Sequence, residues 1–134
     1  MKKGKLILWD IENIAFRYLN NFLGEINIKE DCLIITLDKF TYHNMNNLTP
    51  QRKKEIRNKL SCRQVKIYIC PAGKDAADKE LIKQFKRYKF QFKNVLLLTG
   101  DKELQAKIKK NKNNNQKIRI MEQWNGGLYY LKGI

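Results

Sequence analysis

The sequence has a single histidine, His43, and three cysteines that form no CxxC pair. One histidine excludes, within one chain, chemistry that needs a histidine pair, and it excludes a histidine-rich metal site. The odd cysteine count argues against a zinc site or a disulfide scaffold and is typical of reduced thiols in a cytoplasm. We therefore expect a cytoplasmic protein in which any catalysis depends on carboxylates.

Long apolar runs and flexible linkers are also missing. No apolar run is long enough to span a bilayer. The basic start is followed by an apolar stretch that ends at Asp10, which is not typical of a secretory signal. There is no internal repeat and no linker rich in proline, glycine or serine. We expect residues 1–134 to form one domain that makes no contact with membranes.

Acidic residues are scarce relative to basic ones. The chain has 13 Asp and Glu against 28 Lys and Arg, which gives a net charge of +15. This charge exceeds what solubility requires of a small domain and indicates a polyanionic partner, nucleic acid first. The basic residues are concentrated in three stretches, 52–59, 79–89 and 107–112. A broad positive surface is therefore expected.

Short apolar runs alternate with amphipathic segments. The predicted strands are 5–9, 32–37, 65–70, 95–99 and 117–121. The predicted helices are 14–23, Pro50 to about Leu60, Asp75 to about Tyr88, and a short one after Asp101. An Asn-Gly turn in the tail predicts a terminal hairpin. Alternation of strand and helix predicts right-handed crossovers, and hence a three-layer α/β/α sandwich with a mainly parallel sheet of about five strands.

An acidic residue follows each predicted strand. These residues are Asp10, Asp38, Asp75 with Asp78, Asp101 with Glu103, and Glu122. The carboxyl ends of parallel strands form one edge of a sheet, and ligands of such folds bind there. Clustered carboxylates repel one another unless a cation neutralises them, and hard oxygen ligands suit Mg²⁺ or Mn²⁺. The pattern therefore predicts a divalent-metal site within a basic surface.

Helix capping is an alternative explanation for part of this pattern. Asp75 and Asp101 are suitable N-cap residues, and Asp78 stands three residues after Asp75, as in a capping box. Capping explains Asp10 less well, because Asp10 ends a buried strand. The joint placement of the acidic residues, rather than any single one, favours a site.

Three segments occur in order along the chain: LILWDIENI at 6–14, GKDAADKELI at 73–82 and VLLLTGDKEL at 95–104. Together they resemble the NYN domain, a branch of the PIN-like nucleases. Its blocks are a strand with Asp-x-x-Asn, a helix that begins with Ala-Ala-Asp, and a strand that ends in Ser/Thr-Gly-Asp. The resemblance implies a PIN-like fold and metal-dependent hydrolysis of phosphodiester bonds, usually in RNA. An endoribonuclease that uses Mg²⁺ or Mn²⁺ is therefore expected.

The resemblance also implies roles for individual residues. Asp10, Asp78 and Asp101 would be the core catalytic carboxylates, and Asn13 would orient a ligand or a water molecule. The implied metal ligands are Asp10, Asp75, Asp78, Asp101 and Glu103. Many relatives have Asp where this chain has Glu103, so the choice between one and two metal ions stays open.

Five basic residues are candidates for nucleic-acid binding. Lys74 and Lys102 are next to acidic positions, and Arg52, Lys53 and Lys107 belong to the basic stretches. For the lysines, a solvated surface role is the alternative. RNA is favoured over DNA as the partner, and both a monomer and a homodimer stay open.

Two other functions stay open at this point. A domain of the same fold could bind nucleic acid without cleaving it, although the retained Asp10, Asp78 and Asp101 argue against loss of the site. A haloacid-dehalogenase-type phosphatase also begins with an apolar strand that ends in Asp. Its chemistry needs a second Asp two residues later, and this chain has Glu12 there.

Overall fold

The structure is a computed structural model and describes residues 2–10, 30–38, 54, 65–71, 75–124 and 127–131. The strands are β1 (Lys2–Asp10), β2 (Cys32–Asp38), β3 (Val65–Cys70), β4 (Phe92–Leu98), β5 (Lys117–Trp124) and β6 (Gly127–Leu131). The helices are α1 (Ala76–Tyr88) and α2 (Lys102–Asn111), with a 3₁₀ turn at Lys89–Gln91. All five predicted strands are confirmed, and so are the helices predicted from Asp75 and after Asp101. The helices predicted at 14–23 and, apart from Lys54, at 50–60 lie outside the described residues.

The strands form one sheet in the order β3-β2-β1-β4-β5-β6. The first five strands are parallel, and β6 runs antiparallel to β5, with Trp124 opposite Gly127. The predicted parallel α/β fold and the terminal hairpin are therefore confirmed. The chain adds strands outward from β1 to β3 and then crosses back to β4. This reversal makes the crevice between β1 and β4 the topological switch point, where ligands of such folds bind.

The central strands are nearly continuous apolar runs because both of their faces are buried. Leu6, Ile7, Leu8 and Trp9 of β1 are fully inaccessible to solvent. Leu6 and Leu8 belong to the core cluster that also contains the apolar residues of α1 and α2. Side chains alternate along a strand, so Ile7 and Trp9 lie on the opposite face, which is buried too.

Helix α1 contacts β1, β2 and β3 through one apolar face. Leu81, Phe85 and Tyr88 recur at helical spacing and are buried in the core cluster. Each such side chain contributes roughly 1.5–3 kcal/mol through burial. Because α1 runs back across the sheet from β3 to β4, its first turn lies near the carboxyl ends of the strands.

The amino end of β1 is held closely against the chain that enters β2. A Cβ atom at Gly4 would lie 2.0 Å from the backbone oxygen of Glu30, so no larger residue fits at this position. Next to it, the backbone N–H and Nζ of Lys5 donate to the Asp31 carboxylate at 2.8 and 2.7 Å.

Within the described part of the chain, no helix is long and apolar enough to cross a membrane.

Candidate active site

Acidic residues lie at the carboxyl edge of the sheet. Asp10 and Asp38 are the last residues of β1 and β2, and Asp101 follows β4 after two further residues. Glu122 lies inside β5 rather than after it, because β5 continues to Trp124 in its pairing with β6. Asp75 and Asp78, at the start of α1, complete the acidic residues of this edge.

A buried threonine connects Asp10 with the loop after β4. The Thr99 hydroxyl donates to Oδ2 of Asp10 at 2.9 Å, and the backbone N–H of Asp101 donates to the same hydroxyl oxygen at 3.1 Å. Thr99 is fully buried, and Asp10 is 3% exposed. This pair of hydrogen bonds fixes the Asp10 carboxylate at the crevice between β1 and β4.

Asp101 caps helix α2. Its Oδ1 accepts the backbone N–H of Glu103 at 2.9 Å and that of Leu104 at 3.2 Å. The capping interpretation is therefore confirmed for Asp101. One carboxylate oxygen satisfies it, so capping does not exclude a second role for the residue.

Asp75 occupies the N-cap position of α1, but its side chain makes no capping hydrogen bond. Its backbone is left-handed, with φ 60° and ψ 17°, a conformation that Asp tolerates better than most residues. The capping interpretation is therefore wrong for the Asp75 side chain. The carboxylate is exposed at the sheet edge.

The Asp78 carboxylate lies close to those of Asp101 and Asp75. The pKa of Asp78 is raised to about 6. Burial is the largest cause, followed by the negative charges of Asp101 and Asp75 and by a hydrogen bond that protonated Asp78 donates to Asp101. The charge of Lys107 opposes this rise. The cluster therefore takes up a proton readily when no other cation is present.

The two described basic candidates differ in their surroundings. Lys102 Nζ lies 2.6 Å from Oε1 of Glu122, and Gln105 Nε2 donates to the same oxygen at 2.8 Å. Lys107 Nζ lies 3.3 Å from Oε1 of Glu103, one helical turn away, and both side chains are exposed. Glu103 therefore pairs with a lysine, whereas Lys107 also lies close enough to Asp78 to affect its pKa.

Several predicted site residues lie outside the described residues. They are Asn13, Lys74, Arg52 and Lys53. Sequence reasoning missed Thr99 as a link between two strands; the hydroxyl that precedes Gly100-Asp101 was its only signal. It also missed Thr36, which is level with Asp10 on β2, is fully buried, and has a hydroxyl without a hydrogen-bond partner among the described residues.

The residues on this edge define an acidic site on a parallel α/β sheet. Within the described ranges, no group of three or more His, Cys, Asp or Glu side chains is arranged to hold a metal ion. The predicted set of metal ligands therefore stays a prediction. The sequence matches no protein-family model, and it matches no curated protein.

Proposed function

We propose that this protein is a metal-dependent nuclease, an endoribonuclease, that hydrolyses phosphodiester bonds. The observation that carries the proposal is the meeting of Asp78 and Asp101, from two separate elements, beside Asp75 at the carboxyl edge. This concentration of negative charge occurs in a chain with a net charge of +15. An acidic cluster in a strongly basic protein suits an enzyme that binds a divalent cation and a polyanion together.

The donor set fits such a cation chemically. Carboxylate oxygens are the hard ligands that Mg²⁺ and Mn²⁺ prefer, and a divalent cation would replace the proton shared by Asp78 and Asp101. The residues that would hold the ion are Asp78 and Asp101, with Asp10, Asp75 and Glu103 as further ligands. When bound, the ion would polarise the phosphodiester and lower the pKa of a water molecule.

Residues of the chain would position the substrate around this site. Thr99 holds Asp10 in place at the switch point. Lys107, next to Asp78, would offset the charge of an entering phosphate, and Lys102 would do so after release from Glu122. Asn13 would orient a water or substrate oxygen, and Lys74, Arg52 and Lys53 would bind flanking phosphates. No protein nucleophile is required.

The fold is proposed to be PIN-like, with three layers. Burial on both faces of β1 supports a second helical layer opposite α1.

Cleavage of labelled RNA and DNA, single-stranded and hairpin, tests this function. We expect RNA cleavage with Mg²⁺ or Mn²⁺, none with EDTA, and a loss of at least about 100-fold in Asp78→Asn and Asp101→Asn, because the ligand charge disappears. Glu80→Gln, on the same helix as Asp78, is the matched control and keeps full activity. Absence of cleavage with either metal would contradict the proposal. EDTA-insensitive binding without cleavage would favour a binding domain, and hydrolysis of small phosphate esters alone would favour a phosphatase.

A further inference from the structure

The charges of the described residues are segregated between the two edges of the sheet. The carboxyl edge carries most of the acidic residues. The amino edge carries basic residues from the ends of α1, α2, β4 and β5: Lys89, Lys93, Lys112, Lys117 and Arg119. The acidic residues described at this edge are Glu30 and Asp31, and Asp31 forms an ion pair with Lys5 at 2.7 Å. Among the described residues, the charges of the amino edge therefore attract a phosphate backbone more than those of the carboxyl edge do when no metal ion is bound.

Two adjoining grooves open at the amino edge. Lys93, Asn114, Asn115, Gln116 and Lys117 line one of about 550 Å³. The other, of about 340 Å³, shares Lys117 and is also lined by Lys5, Asn94 and Arg119 and by the acidic Glu30 and Asp31. Both volumes lie within the usual range of ligand sites. Neither Lys93 nor Lys117 takes part in an ion pair among the described residues, so their charges are available to an external anion.

The loop beside the larger groove is held in place by one buried glutamine. Gln116 is 3% exposed, and its Oε1 accepts the backbone N–H of Asn113 at 3.2 Å. Its Nε2 donates to the backbone oxygens of Lys89 and Phe92 at 2.9 and 2.8 Å. These bonds tie the loop to the turn after α1, so the polar groups of the groove are ordered before a ligand arrives.

The same turn presents an exposed aromatic ring. Phe90 lies between the two residues that Gln116 holds and is 69% exposed. Lys89 Nζ lies 5.3 Å from the centre of its ring. An aromatic ring this exposed contributes little to the core, whereas an aromatic face beside lysines is the platform on which proteins stack unpaired bases.

We propose that the amino edge binds an unpaired stretch of polynucleotide, with phosphates in the Lys93–Lys117 groove and a base stacked on Phe90. This inference rests on the proposed function, since both take a polynucleotide as the ligand. The site lies about one strand length, ~20 Å, from the acidic cluster, because β4 has seven residues. It therefore holds the substrate at a point remote from the cleaved bond, and it needs no metal ion.

The test measures binding of a labelled oligoribonucleotide of about 12 nucleotides by fluorescence anisotropy in EDTA, where cleavage is absent. We expect Lys93→Ala combined with Lys117→Ala to weaken binding about 10-fold and to make the dependence of log K on log salt shallower by about 1.4, as expected for two lost phosphates. The matched control, Lys79→Ala with Lys83→Ala, removes the same charge from exposed positions of α1 and changes Kd about 2-fold or less.

Phe90 provides a separate readout. We expect Phe90→Ala to weaken binding of the single strand about 10-fold and to leave binding of a duplex nearly unchanged. Phe90→Tyr, which keeps an aromatic ring, should bind the single strand as tightly as wild type. An oligodeoxynucleotide of the same sequence tests whether the site distinguishes RNA from DNA, and equal loss with both indicates stacking without recognition of the 2′-hydroxyl. Equal losses in the two double-lysine variants, or equal losses for single strand and duplex in Phe90→Ala, would overturn the proposal. Because Asp78→Asn should retain this binding and lose cleavage, failure of this inference is distinguishable from failure of the proposed function.

Discussion

At the scale of single residues, two opposing electrostatic effects act on the Asp78 carboxylate. Its backbone lies in the first turn of α1, where the helix dipole favours a negative side chain. Its carboxylate nevertheless lies partly buried beside Asp101 and Asp75, which disfavours the charge. Repulsion between carboxylates that the fold does not relieve is typical of functional sites, where a bound ligand relieves it.

Asp78→Asn is therefore expected to stabilise the metal-free protein at neutral pH. The pKa of Asp78 is raised from 3.8 to about 6, so the folded state binds the proton more tightly than the unfolded chain does. The contribution of Asp78 to the free energy of unfolding is therefore most favourable below about pH 4. It decreases as pH rises through about 6, by about 1–2 kcal/mol after allowance for solvent screening. In EDTA, thermal unfolding of Asp78→Asn should show a Tm about 3–6 °C above wild type at pH 7.5. The difference should vanish near pH 3.5, and an equal difference at both pH values would contradict the assigned cause.

At the scale of secondary structure, Asp101 joins a helix start to the site. The sequence predicted the start of α2 correctly because Asp is a strong N-cap and Gly100 precedes it. The same reasoning failed for the Asp75 side chain. Asp75 occupies the N-cap position of α1, but its backbone is left-handed and its side chain makes no hydrogen bond to the first turn of the helix. Residue type predicts where a helix begins, but the direction of the first side chain depends on the loop that leads into it.

Two substitutions separate the capping role of Asp101 from its proposed role as a metal ligand. Asn caps nearly as well as Asp, so Asp101→Asn should keep the stability of α2, whereas Asp101→Ala should lose about 1 kcal/mol because two backbone N–H groups lose their acceptor. Both variants remove the carboxylate and should lose cleavage alike. Urea unfolding combined with the cleavage assay measures the two effects. Retained cleavage in Asp101→Asn would restrict this residue to capping.

At the scale of the whole molecule, local hydropathy predicted the existence of the strands and their succession along the chain, but not their full length or their order in the sheet. β1 begins at Lys2 rather than residue 5, and β4 begins at Phe92 rather than residue 95. Lys2 pairs with Phe92, and Lys5 pairs with Asn94. These first residues interrupt the apolar runs with Lys2, Lys3, Lys93 and Asn94, and they are strand because each segment pairs with a neighbouring strand. The grouping of the acidic residues at one edge was predictable, because the carboxyl ends of parallel strands lie at the same edge. The hydrogen bond from Thr99 to Asp10 depends on which strands are adjacent, and sequence periodicity does not encode that order.

The separation of charge between the two sheet edges leads to a prediction about salt. With a net charge of +15, the protein should bind a single-stranded polynucleotide mainly through phosphates, each of which releases counterions. If about five phosphates are contacted, log K should fall with log salt with a slope of about −3.5, which is about 100-fold between about 50 and about 200 mM salt. Cleavage at saturating substrate should change much less, because the carboxylates that would hold the cation lie at the opposite edge from the amino-edge lysines. Anisotropy titrations and single-turnover cleavage over the same salt series measure both quantities. A flat dependence of binding on salt would contradict phosphate contacts as the source of affinity.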